Sequence, residues 1–334
     1  MTPEGPAAPD RARWPLRVAL GVTLTILLVV GDGLYRVGHS TTTTVTPTTV
    51  VTPTSVGATT TTSPVTTTTR PRGPDAPIVN PGHLDQAARG CGLHVVAAAS
   101  PSSAPTTTVR HVAGVGRCTV LEIGDSLGED LAGGLAYEII APRDLRIFAL
   151  DRSSTGLSAS WFYNWPHHLS VALHRYHPNL VIVCLGANDE QALAAPGGSL
   201  AFGTPRWVTA YRQRIRTIAT MATRAGSYLL WVGLPIVEPT VYRRGINLLN
   251  TEYRTVVAAV PGAAFQPTWR LLADARGGYR AGARVNGVES ALRAADGIHF
   301  TSVGEDVLAT FVARQIAAIY HVPLHLRAPA VING

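Results

Sequence analysis

The chain contains no lysine: all 28 of its basic residues are arginine. Against 21 acidic residues this gives a formal net charge of +7. The arginines are scattered, and an all-arginine set reads as the codon usage of a GC-rich genome, so the basic balance is not a nucleic-acid footprint. Arg212, Arg214 and Arg216 lie in an amphipathic pattern rather than a continuous basic tract and are expected to belong to a solvated helix face. Charged residues make up only 15% of the chain, against about 25% in an average soluble domain. Three cysteines, Cys91, Cys118 and Cys184, are too few for a disulfide scaffold or a structural zinc site. Cys184 sits in the apolar run Leu180–Leu185 and reads as a small buried hydrophobe, while Cys91 and Cys118 are able to pair in an exported domain. There is no P-loop and no dinucleotide fingerprint, so no cofactor is expected. His167, His168, His174 and His177 have no carboxylate or thiolate nearby and read as a surface helix without a metal. Composition also excludes wholesale disorder, collagen and a multi-span membrane protein.

The character of the sequence changes abruptly along the chain. Residues 1–17 carry Arg11, Arg13 and Arg17, which precede an uncharged run from Val18 to Gly31. Extended through Leu34 and Tyr35, residues 18–35 read as a signal anchor, or as a signal peptide that is cleaved. Either way, the chain beyond Tyr35 is expected outside the cytoplasmic membrane, anchored to it as a single-pass protein or secreted. From Ser40 to Thr69 the chain is almost entirely Thr, Pro, Val and Ser, with no aromatic residue and no charge. Such a tract builds no core, and residues 36–82 are expected to form a stalk. Residues 83–116 have no clear pattern, residues 117–322 carry a domain, and 323–334 form a C-terminal tail.

An α/β rhythm fills that domain. Strand-like runs lie at Thr119–Ile123, Leu145–Leu150, Leu180–Leu185 and Tyr228–Gly233, with a weaker one at Ala263–Gln266. Helical periodicity lies between them, as in Trp207–Ala225, where Val208, Tyr211, Ile215, Ile218 and Met221 recur at three or four residues. A last helix is expected from about Ser302 to Tyr320. Alternation of this kind predicts a doubly wound parallel sheet flanked by helices, a three-layer α/β/α fold. Ligands in such folds bind beyond the carboxyl ends of the strands, so the residues directly after each strand carry the chemistry.

After the first run comes Gly124-Asp125-Ser126-Leu127-Gly128, which places a serine at a strand-to-helix turn, where developing negative charge is favoured. After the third comes Gly186-Ala187-Asn188-Asp189, whose asparagine amide is an N–H donor for the same crevice. Asp189 and Glu190 read as charges at a helix start. Asp296-Gly-Ile-His299 precedes the last helix, so a carboxylate and an imidazole meet across a tight turn. These are the parts of a nucleophile, a base and its orienter. The segment from Thr268 to Ala294 is expected to be a loop near that site. Gly124 to Gly128 also satisfies the G-x-S-x-G elbow of α/β-hydrolases, but that fold needs several strands before its serine and none has room here.

The four blocks, in this order, resemble the SGNH (GDSL-like) hydrolase family, and the resemblance covers about Cys118 to Tyr320. It implies a nucleophile at Ser126, completed by His299 and Asp296. The oxyanion hole it implies comprises the N–H groups of Ser126 and Gly156, the latter in Arg152-Ser-Ser-Thr-Gly-Leu157, and the side chain of Asn188. Trp165-Pro166, Trp231-Val-Gly-Leu-Pro235 and Asp296-Gly-Ile-His-Phe-Thr301 are similar to a bacterial cell-envelope subgroup of mostly unassigned substrate. The expectation is therefore an extracytoplasmic serine esterase acting on acetyl or other short-chain acyl esters of small molecules or envelope glycans. The competing readings are an O-acyltransferase using the same site, a non-catalytic glycan-binding domain and a stalked adhesin.

Overall fold

The computed structural model describes residues 76–80, 118–140, 145–320 and 324–333. In chain order the first elements are β1 (Ile78–Val79), β2 (Cys118–Gly124), α1 (Ser126–Glu138), β3 (Ile139–Ile140), β4 (Leu145–Asp151), α2 (Trp165–Tyr176) and β5 (Leu180–Cys184). Next come β6 (Leu193–Ala195), β7 (Gly198–Leu200), α3 (Pro205–Arg224), β8 (Tyr228–Val232) and α4 (Thr240–Val257). The last are β9 (Ala263–Gln266), β10 (Gly282–Val285), β11 (Val288–Ala291), α5 (Ser302–Tyr320) and β12 (His325–Leu326).

The main sheet runs β1-β9-β8-β5-β2-β4, parallel from β9 through β4 with β1 antiparallel at the edge. All five residues of β5 are buried, as an uninterrupted apolar run in the middle of a parallel sheet requires. α1 packs on α5, and α3 packs on both α2 and α4. With right-handed crossovers, the first pair covers one face of the sheet and the other three helices cover the opposite face. Gly134 permits the close approach of α1 to α5, since a Cβ there would lie 2.5 Å from the Glu305 carbonyl oxygen. The strand order reverses between β2 and β5, whose carboxyl ends therefore flank the ligand crevice.

All five expected parallel strands are present, with ends shifted by a residue or so. Several features depart from the sequence reading. Ile78 and Val79, at the end of the expected stalk, pair with Phe265 and Ala264. They are a β-branched pair between Pro77 and Pro81, long enough to close the exposed edge of β9 and no longer. The Thr268–Ala294 segment is not merely a loop, because β10 and β11 form a hairpin within it. Its turn residues Asn286 and Gly287 have φ of 48° and 85°, the left-handed pair that a two-residue hairpin turn demands. The buried stripe of α3 runs through Trp207, Tyr211, Ile215, Ile218 and Ala222, leaving Val208 and Met221 at its margins. Residues 324–333, beyond the expected end of the domain, fold back: β12 pairs with β3, and Asn286 donates to the Pro329 carbonyl at 3.0 Å.

Cys184 is free and buried, and Cys118 is disulfide-bonded. Cys91 lies outside the described residues, as do the expected membrane segment 18–35 and most of the stalk. Among the described residues no helix is long and apolar enough to cross a membrane.

Candidate active site

Ser126 opens α1 directly after β2, in the position its strand-to-helix context predicts. Its neighbour Asp125 caps the helix by accepting the Leu127 N–H at 3.0 Å. The other Asp125 carboxylate oxygen accepts the N–H groups of Gly186 and Ala187, each at 2.8 Å. One fully buried carboxylate thus ties the serine turn to the asparagine turn across the sheet. Burial pushes the Asp125 carboxyl up to about 7, against the pull of those three N–H donors.

The Ser126 hydroxyl lies 2.8 Å from Nε2 of His299, and Nδ1 of the same ring lies 2.6 Å from Asp296 Oδ2. The other Asp296 oxygen accepts the backbone N–H of Ile298 at 2.8 Å and of His299 at 3.0 Å. Burial acts to raise the Asp296 carboxyl, but the hydrogen bonds from the His299 ring and these two N–H groups hold it below the usual carboxylate range. An ionised Asp296 accepts a hydrogen bond from His299 Nδ1–H, which leaves Nε2 with a lone pair facing the serine hydroxyl. Gly297 makes the turn possible: its φ is +68°, and a Cβ there would lie 2.4 Å from the Glu238 Cβ.

The Asn188 amide donates to the Thr155 carbonyl at 2.9 Å, next to Gly156, so the two further donors implied by the family resemblance are joined to each other. Asp189 proves not to start a helix: no helix begins there, and its carboxylate is fully buried. It accepts the N–H of Leu157 at 2.9 Å, the N–H of Ser158 at 2.7 Å and the Ser158 hydroxyl at 2.6 Å. The Tyr211 hydroxyl donates to it at 2.6 Å, and Tyr211 in turn is held by Tyr253 at 2.8 Å. Gly156 packs so closely on this carboxylate that a Cβ would sit 2.2 Å from Asp189 Oδ1. Arg214 braces the same loop from its carbonyl side, donating to Leu157 and, at 2.9 Å, to Ser158. The expected solvated arginine face is thus corrected at two places. Arg214 reaches a neighbouring loop, and Arg212 pairs with the buried carboxylate of Glu252. Long guanidinium side chains extend from a helix margin to wherever carbonyls and carboxylates are unmet.

Beneath the serine turn lies a pair of carboxyl groups that sequence patterning does not single out. Glu122 is fully buried on β2 beside Asp151 at the end of β4. A Cβ on Gly124 would come within 2.9 Å of an oxygen of each, and one on Gly128 within 3.0 and 3.1 Å. Both glycines of the serine turn therefore make room for this pair. Burial, and then the neighbouring Asp151, push the Glu122 carboxyl well up. Its uncharged form is therefore favoured beside the Asp151 carboxyl.

The raised Glu122 carboxyl has a measurable consequence. A carboxyl held above its unfolded value stabilises the fold fully at low pH, and the contribution fades as pH rises through the raised value. Glu122→Gln keeps the volume and does not titrate. Wild-type melting temperature is expected to fall more steeply than that of E122Q as pH rises above the ordinary glutamate range. Parallel curves would contradict a Glu122 carboxyl held above its ordinary value.

The four histidines of the 167–177 stretch stay outside this site. His167, His174 and His177 are exposed, and His168 stacks on Tyr163 with ring centroids 4.0 Å apart.

Similarity to known proteins covers the same span of chain. A family model described as "Protein of unknown function (DUF459)" matches residues 119–315. Among solved structures the chain is similar to TesA, at 21% identity and a TM-score of 0.42, covering 60% of this chain and 99% of that one. It is similar to the psychrotrophic esterase EstA from Pseudoalteromonas sp., at 14% identity and a TM-score of 0.42, covering 60% and 97%. A catalytic mutant of Axe2, an acetylxylan esterase from Geobacillus stearothermophilus, is also similar, at 15% identity and a TM-score of 0.40, covering 60% and 95%. No curated protein matches the chain.

Proposed function

We propose that this chain, which belongs to the DUF459 family, is a serine esterase of the SGNH type that hydrolyses short-chain acyl esters. The observation that carries the reading is the continuous hydrogen-bonded path from Asp296 through His299 to Ser126. In this mechanism His299 Nε2 takes the hydroxyl proton as Ser126 Oγ attacks the ester carbonyl carbon. The oxyanion forms at the start of α1, against the N–H groups of Ser126 and Gly156 and the Asn188 amide. Its collapse breaks the ester C–O bond, and His299 returns the proton to the departing alcohol. Water then repeats the sequence on the acyl-enzyme and releases the carboxylic acid.

The openness of the site bears on substrate size. The His299 and Asp296 side chains remain 39% and 46% exposed, which favours a small acyl group on a bulky alcohol such as a glycan. The apolar cavity lined by Cys118, Leu135, Ile139, Leu180 and Ile316 lies at the amino ends of the strands, away from the serine. The arginine-flanked segment 18–35 and the Thr/Pro tract support an extracytoplasmic placement, with envelope glycans within reach. An acceptor hydroxyl taking the place of water would make the same acyl-enzyme an O-acyltransferase.

The test is hydrolysis of aryl acetate, butyrate and octanoate by the full-length chain. The expected result is highest kcat/KM for acetate, falling by about tenfold or more at octanoate, because a site whose His299 and Asp296 stay this exposed offers the added methylenes little burial. Hydrolysis at the buffer rate, or a preference for octanoate, would overturn the reading.

A further inference from the structure

His299 is held not only through its ring but through the backbone on both sides of it. Phe300, the next residue, donates its N–H to Asp130 Oδ2 at 3.1 Å. Ile298, the preceding residue, offers its carbonyl to the Arg293 guanidinium at 2.8 Å. Arg293 is 5% exposed, donates also to the Ile236 carbonyl at 2.7 Å, and lies 4.0 Å over the Phe300 ring. Asp130 stands one helical turn after Ser126 on α1, so the two side chains share a helix face. The helix that carries the nucleophile therefore also grips the peptide unit that carries the base.

We propose that Asp130 is a positioning residue for the proposed acyl transfer: by accepting the Phe300 N–H it sets the reach of His299 Nε2 to Ser126. The inference rests on that esterase reading for its kinetic consequence, but not for its geometry. The helical rise fixes the offset between Ser126 and Asp130, and one hydrogen bond transmits it to the His299 backbone. Arg293 fixes the other end of the same short segment, so His299 has little freedom to swing away. The charged groups around Asp130 are His299 and Arg293, which favour its carboxylate, and Glu129 and Glu305, which oppose it. None of these replaces the acceptor at Phe300.

The test compares D130A, D130N and D130S in the full-length chain, with aryl acetate as probe and melting temperature measured alongside. Asparagine keeps an oxygen in place for the Phe300 N–H, whereas alanine and serine do not reach it. D130A and D130S are expected to lose about 10- to 100-fold in kcat with KM within about threefold, since a small misplacement of a catalytic group carries costs of that order. D130N is expected to recover to within about fivefold of wild type. Hydrogen exchange across residues 298–300 is expected to accelerate in D130A and D130S, and not in D130N. Wild-type kcat in D130S, or D130N as impaired as D130A, would overturn the inference. If the wild type hydrolyses no ester, the esterase reading fails, and the exchange rates alone decide the positioning. Unchanged exchange in D130A and D130S would then overturn it.

Discussion

Ser126→Ala is expected to lower kcat/KM for aryl acetate by on the order of 10⁴- to 10⁶-fold, while the melting temperature moves by no more than about 2 °C. The size reflects the step removed. Without Oγ no acyl-enzyme forms, and only attack by water remains, on a carbonyl still polarised at the start of α1. The small structural effect reflects the environment of the side chain. Ser126 is half-buried, its hydroxyl touches His299, and alanine is a good helix former at the same position. His299→Ala is expected to match S126A in rate loss, because members of one catalytic unit do not contribute additively. The check is steady-state kinetics and thermal melting on the same samples. A residual rate within about tenfold of wild type would mean that another group carries the chemistry.

The second large effect is expected far less intuitively, at a residue that need not touch substrate. Asp189→Ala is expected to destabilise the domain by about 3–5 kcal/mol, because it strips the acceptor from a buried charge-assisted network. Two backbone N–H groups and the Ser158 and Tyr211 hydroxyls would lose their acceptor at once. For a domain of this size that corresponds to about 6–20 °C in melting temperature. Activity is expected to drop by about 10²- to 10³-fold in the fraction that stays folded, the cost of misplacing one oxyanion donor. In the proposed mechanism Gly156 is the donor at risk, since its loop is held by Asp189 on the N–H side and by Arg214 on the carbonyl side. Asp189→Asn keeps the volume but presents an N–H to the Leu157 N–H, so it is expected to fall between wild type and alanine. Differential scanning and kcat/KM at a temperature below both transitions check this. A D189A protein melting within about 2 °C of wild type would contradict the bracing role.

The contrast between these two residues explains how far the site was legible in the sequence. Ser126, Asn188 and the Asp296–His299 pair are read directly, because each lies in a short contiguous block right after a strand or right before a helix. The parallel strands are legible for a similar reason: an apolar run such as Leu180–Cys184 has few other places to go than a buried sheet. Asp189 sits beside Asn188 in the same block, yet its role depends on Leu157, Ser158 and Tyr211, more than twenty residues away on either side. No local pattern announces a carboxylate that satisfies a distant loop. Asp130 is invisible for the same reason, being an ordinary helix-face acid until the fold brings Phe300 to it. Glu122 is harder still, since a charged residue inside an apolar strand argues against burial unless a partner such as Asp151 is already known. The β10–β11 hairpin is different. Its Asn286-Gly287 turn, between valines, is a local signal that the sequence carries openly.

The most direct test of the account is reaction of the full-length protein with a fluorophosphonate, and then mass analysis of the modified peptide. An activated Ser126 is expected to take one phosphonyl group, with labelling lost in S126A and slowed by on the order of 10³-fold or more in H299A. A folded wild-type protein that takes no label, or that is labelled anywhere other than Ser126, would contradict it.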